Sequence, residues 1–398
     1  MQIQEPNTPD NKQNGFHHPF WQLAFRSFFL TGALFAATAI ALWATMLAGL
    51  ITLPQPILPA VLWHSHEMIF GFAALIAVGF IMTAVQTWTG LPSITGLPVA
   101  ALLLLWLCIR ILVFINTHTT IIAALIMSLL WWAVIVFTFT RIVFSAGNVR
   151  NYLFVPMLMA LATLNAATLM LALMGEHLIA LHLIRSAVLL FTLLIGVVGG
   201  RVIPFFTARG ANIDTQTPMI WAEKIQVPLT VTCLVVFITS HFELLPFSPA
   251  ILLIVTGCVH LIRMKAWSSL STFTMPLLWS LHSAYAFMGL GLIALGLSYY
   301  IDTLLFSNAL HLITLGAIGL MILAMISRVS LGHTGRKLNV KPQITAAFIC
   351  LVGATLLRFT LTLTGHAFVG WALSAALWVA SFTIFFFIYW PVLSAPRQ

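Results

Sequence analysis

The sequence predicts an all-α membrane protein, a polytopic bundle that crosses a bilayer about twelve times, and three observations carry that expectation. Of 398 residues, 61% are hydrophobic and only 6% are charged, against roughly a quarter charged in an average soluble domain. The apolar residues fall into runs of about 20, the length a helix needs to span a hydrocarbon core. The Lys and Arg residues sit at the ends of those runs rather than in one stripe. This makes the net charge of +9 a mark of membrane orientation instead of a nucleic-acid footprint.

The runs lie near 23–50, 60–86, 97–117, 119–144, 151–174 and 178–206 in the first half. The second half supplies 225–240, 246–264, 274–299, 304–328, 342–363 and 367–393. Lys12, Arg26, Arg141, Arg150, Arg201, Arg209, Lys224, Arg263, Lys265, Arg328, Arg336, Lys337 and Lys341 all fall on the side of the N-terminus, which the positive-inside rule assigns to the cytoplasm. The opposite loops carry Glu176, Glu243 and Asp302, and an even helix count returns Arg397 to the cytoplasm. The expected organisation is a polar tail over 1–20, one transmembrane domain over 21–393 and a short tail over 394–398. The first twenty residues lack the basic, apolar and small-residue pattern of a cleaved secretory signal.

The four cysteines, Cys108, Cys233, Cys258 and Cys350, stand singly inside apolar runs without a C-x-x-C. They read as small apolar packing residues. Ionisable groups inside a membrane helix are costly and mark functional positions. The segment WHSHEMIFGF opens the second helix with Trp63, His64, His66 and Glu67. His64 and Glu67, three apart, share a helical face, while His66 lies about 200° round from His64. A straight helix offers only one of the two histidines to a given metal, leaving the other, with Glu67, to orient it or carry a proton. At ~1.5 Å per residue, His282 and His311 each lie about 12 Å into their helices from opposite faces, at a level shared with His66. Tyr285, one turn from His282, is a hydrogen-bond or proton donor on the same face. Neutral imidazole is the common ligand of haem iron and copper, and bundles mount such sites from facing helices. His260 and the pair His182 and Arg185 read as structural. The segments GGRVIPFFTARG (199–210) and SRVSLGHTGR (327–336) read as glycine-permitted turns. Their arginines, Arg201 and Arg328 among them, suit haem propionates, phosphates or lipid head groups.

These segments resemble the NnrS family of bacterial inner-membrane proteins of the nitric oxide and nitrosative stress response. The resemblance runs through FRSFFL (25–30), WHSHEMIFGF (63–72), GFIMTAVQTWTG (79–90), GGRVIPFFT (199–207) and HLITLGAIGLMILAMISRVSLGHTGR (311–336), nearly the whole chain. It implies a protein that carries b-type haem and also copper, binds nitric oxide and protects the cell from it. The helix count is similar to that of haem-copper oxidases and nitric oxide reductases, an analogy of fold alone. A complete reductase of that type needs about six ligating histidines, including an adjacent pair within a helix. The one His-His here, His17-His18, lies in the polar tail, so nitric oxide binding or relief of iron-nitrosyl damage is expected over efficient turnover. Two other classes compete. A secondary transporter would show matched Pro/Gly-broken helices in two halves, a pattern that Pro156, Pro204 and Pro276 do not form. A haem or copper delivery protein would release its metal to chelators.

Overall fold

The computed structural model describes residues 18–51, 56–214, 217–242 and 246–398. Lys12, His17 and Glu243, and with them most of the tail over 1–20, lie outside the described residues. The described chain is helical, with 12 helices long and apolar enough to cross a membrane. They are α1 (Ala24–Leu47), α2 (Ala60–Thr89), α3 (Leu97–Ile115), α4 (His118–Ser145), α5 (Val149–Leu173), α6 (His177–Gly210), α7 (Ile220–Ser240), α8 (Ala250–Trp267), α9 (Pro276–Leu297), α10 (Phe306–His333), α11 (Pro342–Leu363) and α12 (Ala367–Leu393). The chain is therefore a multi-pass membrane protein, and all four cysteines are free thiols.

Three helices run past their expected limits by about four or five residues. The α7 helix begins at Ile220 because Trp221–Lys224 is helical, with Glu223 in the first turn, where a carboxylate is favoured by the helix dipole. The α6 helix continues through Pro204 to Gly210, and α10 continues through Arg328 to His333. The expected turn at Gly199–Gly200 is thus a stretch of helix. The glycines are needed there for packing: a Cβ on Gly199 would lie 3.3 Å from the Tyr285 ring, and one on Gly200 would overlap the Arg263 guanidinium. Gly335, with φ of 77°, is a true left-handed turn after α10.

Two compact units form within the chain. The first comprises residues 1–184, 328–338 and 386–398, and the second 185–327 and 339–385. In the first, α1 packs on α2, α3 on α4 and α4 on α5. Arg26, buried at the start of α1, donates from Nη1 to the carbonyls of Leu393 (3.2 Å) and Ala395 (2.7 Å). In the second, α8 and α9 make the closest pair. A Cβ on Gly257 would meet the Gly289 carbonyl at 2.5 Å, and one on Gly296 would meet the Ala250 carbonyl at 2.5 Å. Small residues of this kind let two membrane helices touch backbone to backbone.

Each unit also holds one helix in which a π segment begins directly after a histidine. In α2 it covers Glu67–Ala73, after His66, and in α10 it covers Leu312–Gly319, after His311. Such π segments concentrate at functional sites, because the wider turn re-aims the side chains around it.

Candidate functional site

In the first unit the site is built on the entry to α2. Asn116, the left-handed cap of α3 (φ 60°), holds the preceding loop. Its side chain accepts from the Leu58 amide (2.9 Å) and donates to the Leu58 carbonyl (2.8 Å). His177 adds a bond from Nε2 to the Ile57 carbonyl at 3.1 Å. The loop so fixed feeds Pro59 into α2, whose first turns carry Trp63, His64, His66 and Glu67.

His66 and Glu67 are both buried and bonded to each other, Nδ1 to Oε1 at 2.8 Å. Adjacent residues do not face each other on a regular α-helix, and this pair falls where α2 passes into its π segment. His64, expected either to ligate or to work with Glu67 beside a ligating His66, stacks on Trp43, with centroids 4.5 Å apart. Arg110 of α3 donates to the same Glu67 Oε1 at 2.5 Å, and its guanidinium is buried. Gly71 makes room for it, since a Cβ there would lie 3.0 Å from Arg110 Nη1. Asn165 of α5 closes the group, its side-chain oxygen Oδ1 3.0 Å from His66 Nε2.

The Glu67 carboxylate accepts only, so His66 carries a proton on Nδ1, while its Nε2 faces the amide oxygen of Asn165. Arg110 neutralises the carboxylate inside the apolar bundle, where either charge alone would be costly. A carboxylate that orients a histidine through one nitrogen is the outer arrangement found beside imidazoles that ligate metals, and here Asn165 Oδ1 meets the other nitrogen.

The second unit places His282 and Tyr285 in two different hydrogen-bond sets. Thr207 Oγ1 donates to the Ile203 carbonyl at 2.8 Å and therefore accepts from His282 Nε2–H, also at 2.8 Å. Ser269 Oγ, 2.9 Å away, faces His282 Nδ1. Tyr285 joins His260 instead. Arg263 is held in a fork by Glu223 (Nε to Oε1 2.6 Å, Nη2 to Oε2 2.5 Å) and donates from Nη1 to the Gly196 carbonyl (2.7 Å) and Tyr285 Oη (3.0 Å). Tyr285 in turn donates to His260 Nδ1 at 2.8 Å. Thr230 Oγ1 donates to the Gln226 carbonyl at 2.6 Å and so accepts from His260 Nε2–H at 3.3 Å. Every proton in this chain is assigned, and the His260 lone pair is held by a phenol.

His311, like His66, carries a proton on Nδ1, which it donates to the Ser307 carbonyl at 2.5 Å. His282 lies six residues into α9 and His311 five into α10 from the opposite end, so roughly 16 Å of helix axis separates them within the 22-residue α9. The structure does not bring these two to a common level.

Among His66, His260, His282 and His311, therefore, His66 and His311 carry a proton on Nδ1 that is donated to an oxygen acceptor. Among the described residues no cluster of three or more His, Cys, Asp or Glu side chains is placed to hold a metal ion. Single oriented histidines fit haem, whose ring supplies the other equatorial ligands. Arg110, Asn165, Glu223 and Arg263 were not singled out as site residues from sequence. An arginine within an apolar run, as in LCIRILVF (107–114), was the available signal.

Tyr285→Phe removes the link between Arg263 and His260 and leaves the buried His260 Nδ1 without its donor. The expected loss is about 1–3 kcal/mol, read as a lower unfolding midpoint in detergent, and an unchanged midpoint would show that the chain is not structural.

Fold and site together define a multi-pass membrane protein whose buried polar chemistry is carried by single histidines set beside carboxylate–arginine pairs. The chain belongs to the NnrS family, whose model, described as NnrS protein, matches residues 19–397. No curated protein matches it.

Proposed function

We propose that this chain is a haem-binding protein of the bacterial inner membrane that binds nitric oxide in the nitrosative stress response, with its N-terminus in the cytoplasm. Family membership supports a membrane protein of the nitric oxide response. The observation that supports the haem reading is the His66–Glu67–Arg110 group, a buried histidine oriented through Nδ1–H by a paired carboxylate, whose Nε2 would exchange Asn165 Oδ1 for iron. His311 is the corresponding candidate in the second unit. His282 ties α9 to Thr207 and Ser269, and Arg201 and Arg328 remain candidates for propionates or lipid phosphates.

Bound haem iron would supply an open coordination position for a diatomic ligand. The residues of the chain do the rest. Glu67 holds the His66 ring in one orientation, Arg110 pairs with Glu67, and the apolar helices exclude water while admitting a small uncharged gas. Delivery of haem or copper to other proteins is the second reading, separated by lability of the bound metal to chelators.

The test is an absorption spectrum of detergent-purified protein, oxidised, reduced, and reduced with nitric oxide. A Soret band that shifts with nitric oxide is expected, bleached in His66→Ala or His311→Ala and retained in His282→Ala. Colourless protein from haem-replete cells, or a band indifferent to His66→Ala and His311→Ala alike, refutes this assignment.

A further inference from the structure

Two of the buried arginines are matched by carboxylates: Arg110 by Glu67 in the first unit and Arg263 by Glu223 in the second. Arg358 of α11 is not. It is 8% exposed, and among the described residues its hydrogen bonds run from Nη1 to Asn308 Oδ1 (3.1 Å) and Thr362 Oγ1 (2.9 Å), both neutral. Thr362 Oγ1 is itself spent on the Arg358 carbonyl at 2.8 Å, and Asn308 Nδ2 on the Phe359 carbonyl at 3.1 Å. The guanidinium carbon lies 5.4 Å from the Trp371 ring centroid. The indole Nε1–H of that tryptophan is buried without a hydrogen-bond partner. A cation within an apolar bundle that meets only neutral acceptors is expensive. An unsatisfied indole N–H beside it adds a second donor lacking an acceptor. The group is rich in donors and short of negative charge, the complement of a carboxylate, which a guanidinium receives with two parallel N–H bonds.

The place of the group names the ligand further. Asn308, which holds Arg358, lies three residues before His311 in the opening turns of α10, and residues three apart share a helical face. We propose that Arg358 and Trp371 form a carboxylate-binding site in the second unit and that its occupant is a propionate of a tetrapyrrole seated beside His311. The carboxylate chemistry rests on Arg358 and Trp371 alone, whereas the choice of a tetrapyrrole rests on the haem reading above. A fatty acid presents the same carboxylate from the surrounding lipid.

The test uses metal-free protoporphyrin IX, which carries both propionates but needs no axial ligand, so it reports on this site even if no histidine binds iron. Detergent-purified, haem-depleted full-length protein is titrated with protoporphyrin IX and with its dimethyl ester, following porphyrin fluorescence, and in parallel with oleate as competitor. Binding of the free acid at least about 10-fold tighter than the ester, a preference abolished in Arg358→Gln and reduced in Trp371→Phe, is the expected result. Equal affinity for acid and ester in the wild type, a comparison that needs no variant to fold, overturns the tetrapyrrole assignment. Oleate binding that depends on Arg358, with no acid preference for the porphyrin, upholds the carboxylate site and replaces its occupant by lipid. Oleate and porphyrin both indifferent to Arg358→Gln, in protein that elutes as the wild type does, overturn the site itself.

Discussion

Glu67→Ala is expected to unfold the first unit at markedly lower temperature than the wild type, at a cost of about 3–5 kcal/mol. The reason is the company Glu67 keeps. Removing the carboxylate leaves Arg110 buried with its charge unmatched and frees the His66 ring from the acceptor that orients it. Breaking one side of a buried pair costs far more than the pair contributes to stability, so removing both charges should be milder. Glu67→Gln combined with Arg110→Met is therefore expected to melt above Glu67→Ala in detergent, although neither should hold the His66 ring in its native orientation. On the proposed haem reading, stability and spectrum then separate: the double variant recovers the fold without recovering the Soret band expected of the wild type. A double variant that melts no higher than Glu67→Ala would count against the pairing as the source of the loss.

The second large effect lies at the contact of α8 and α9. Gly257→Ala places a methyl 2.5 Å from the Gly289 carbonyl, and a backbone atom cannot rotate out of the way as a side chain can. The helices must separate, at a cost of about 1–3 kcal/mol or more for overpacking. His260 lies one turn beyond Gly257, and Tyr285 one turn before Gly289, so the hydrogen bond between them should lengthen with the helices. Gly353→Ala is the matched control, since its nearest neighbour is Leu377 Cδ1 at 3.7 Å and alanine is the better helix former. The expected order of unfolding midpoints is Gly353→Ala at or above wild type and Gly257→Ala well below it. If Gly257→Ala melts with the wild type, the close approach of the two helices is not what holds them.

Much of the architecture was legible in the chain itself. Apolar runs of bilayer length announce membrane helices without reference to tertiary contacts, and all 12 spans fall close to where the runs predict them. Helix ends were harder, because Glu223 and Arg328 look like loop residues until their partners or their helical register are known. His66 and Glu67 stood out as intramembrane ionisable groups. The hydrogen-bond directions did not, since the protonation of His260 depends on Arg263, Tyr285 and Thr230 on other turns and other helices. Arg110 and Arg358 lie inside helices, where an arginine adds nothing to the positive-inside bias set at helix ends, so orientation does not mark them.

The backbone bonds that Arg26 makes to Leu393 and Ala395 carry a consequence for biogenesis. A ribosome delivers Arg26 to the membrane at the start of synthesis and its carbonyl acceptors near the end, 367 and 369 residues later. The first unit, begun first, is thus finished last, after the whole of the second has emerged. During that interval the nascent chain holds a guanidinium whose final acceptors have yet to be translated, so insertion cannot proceed as two independent domains completed in order. Quality control that senses an unassembled first helix would have to wait for the twelfth.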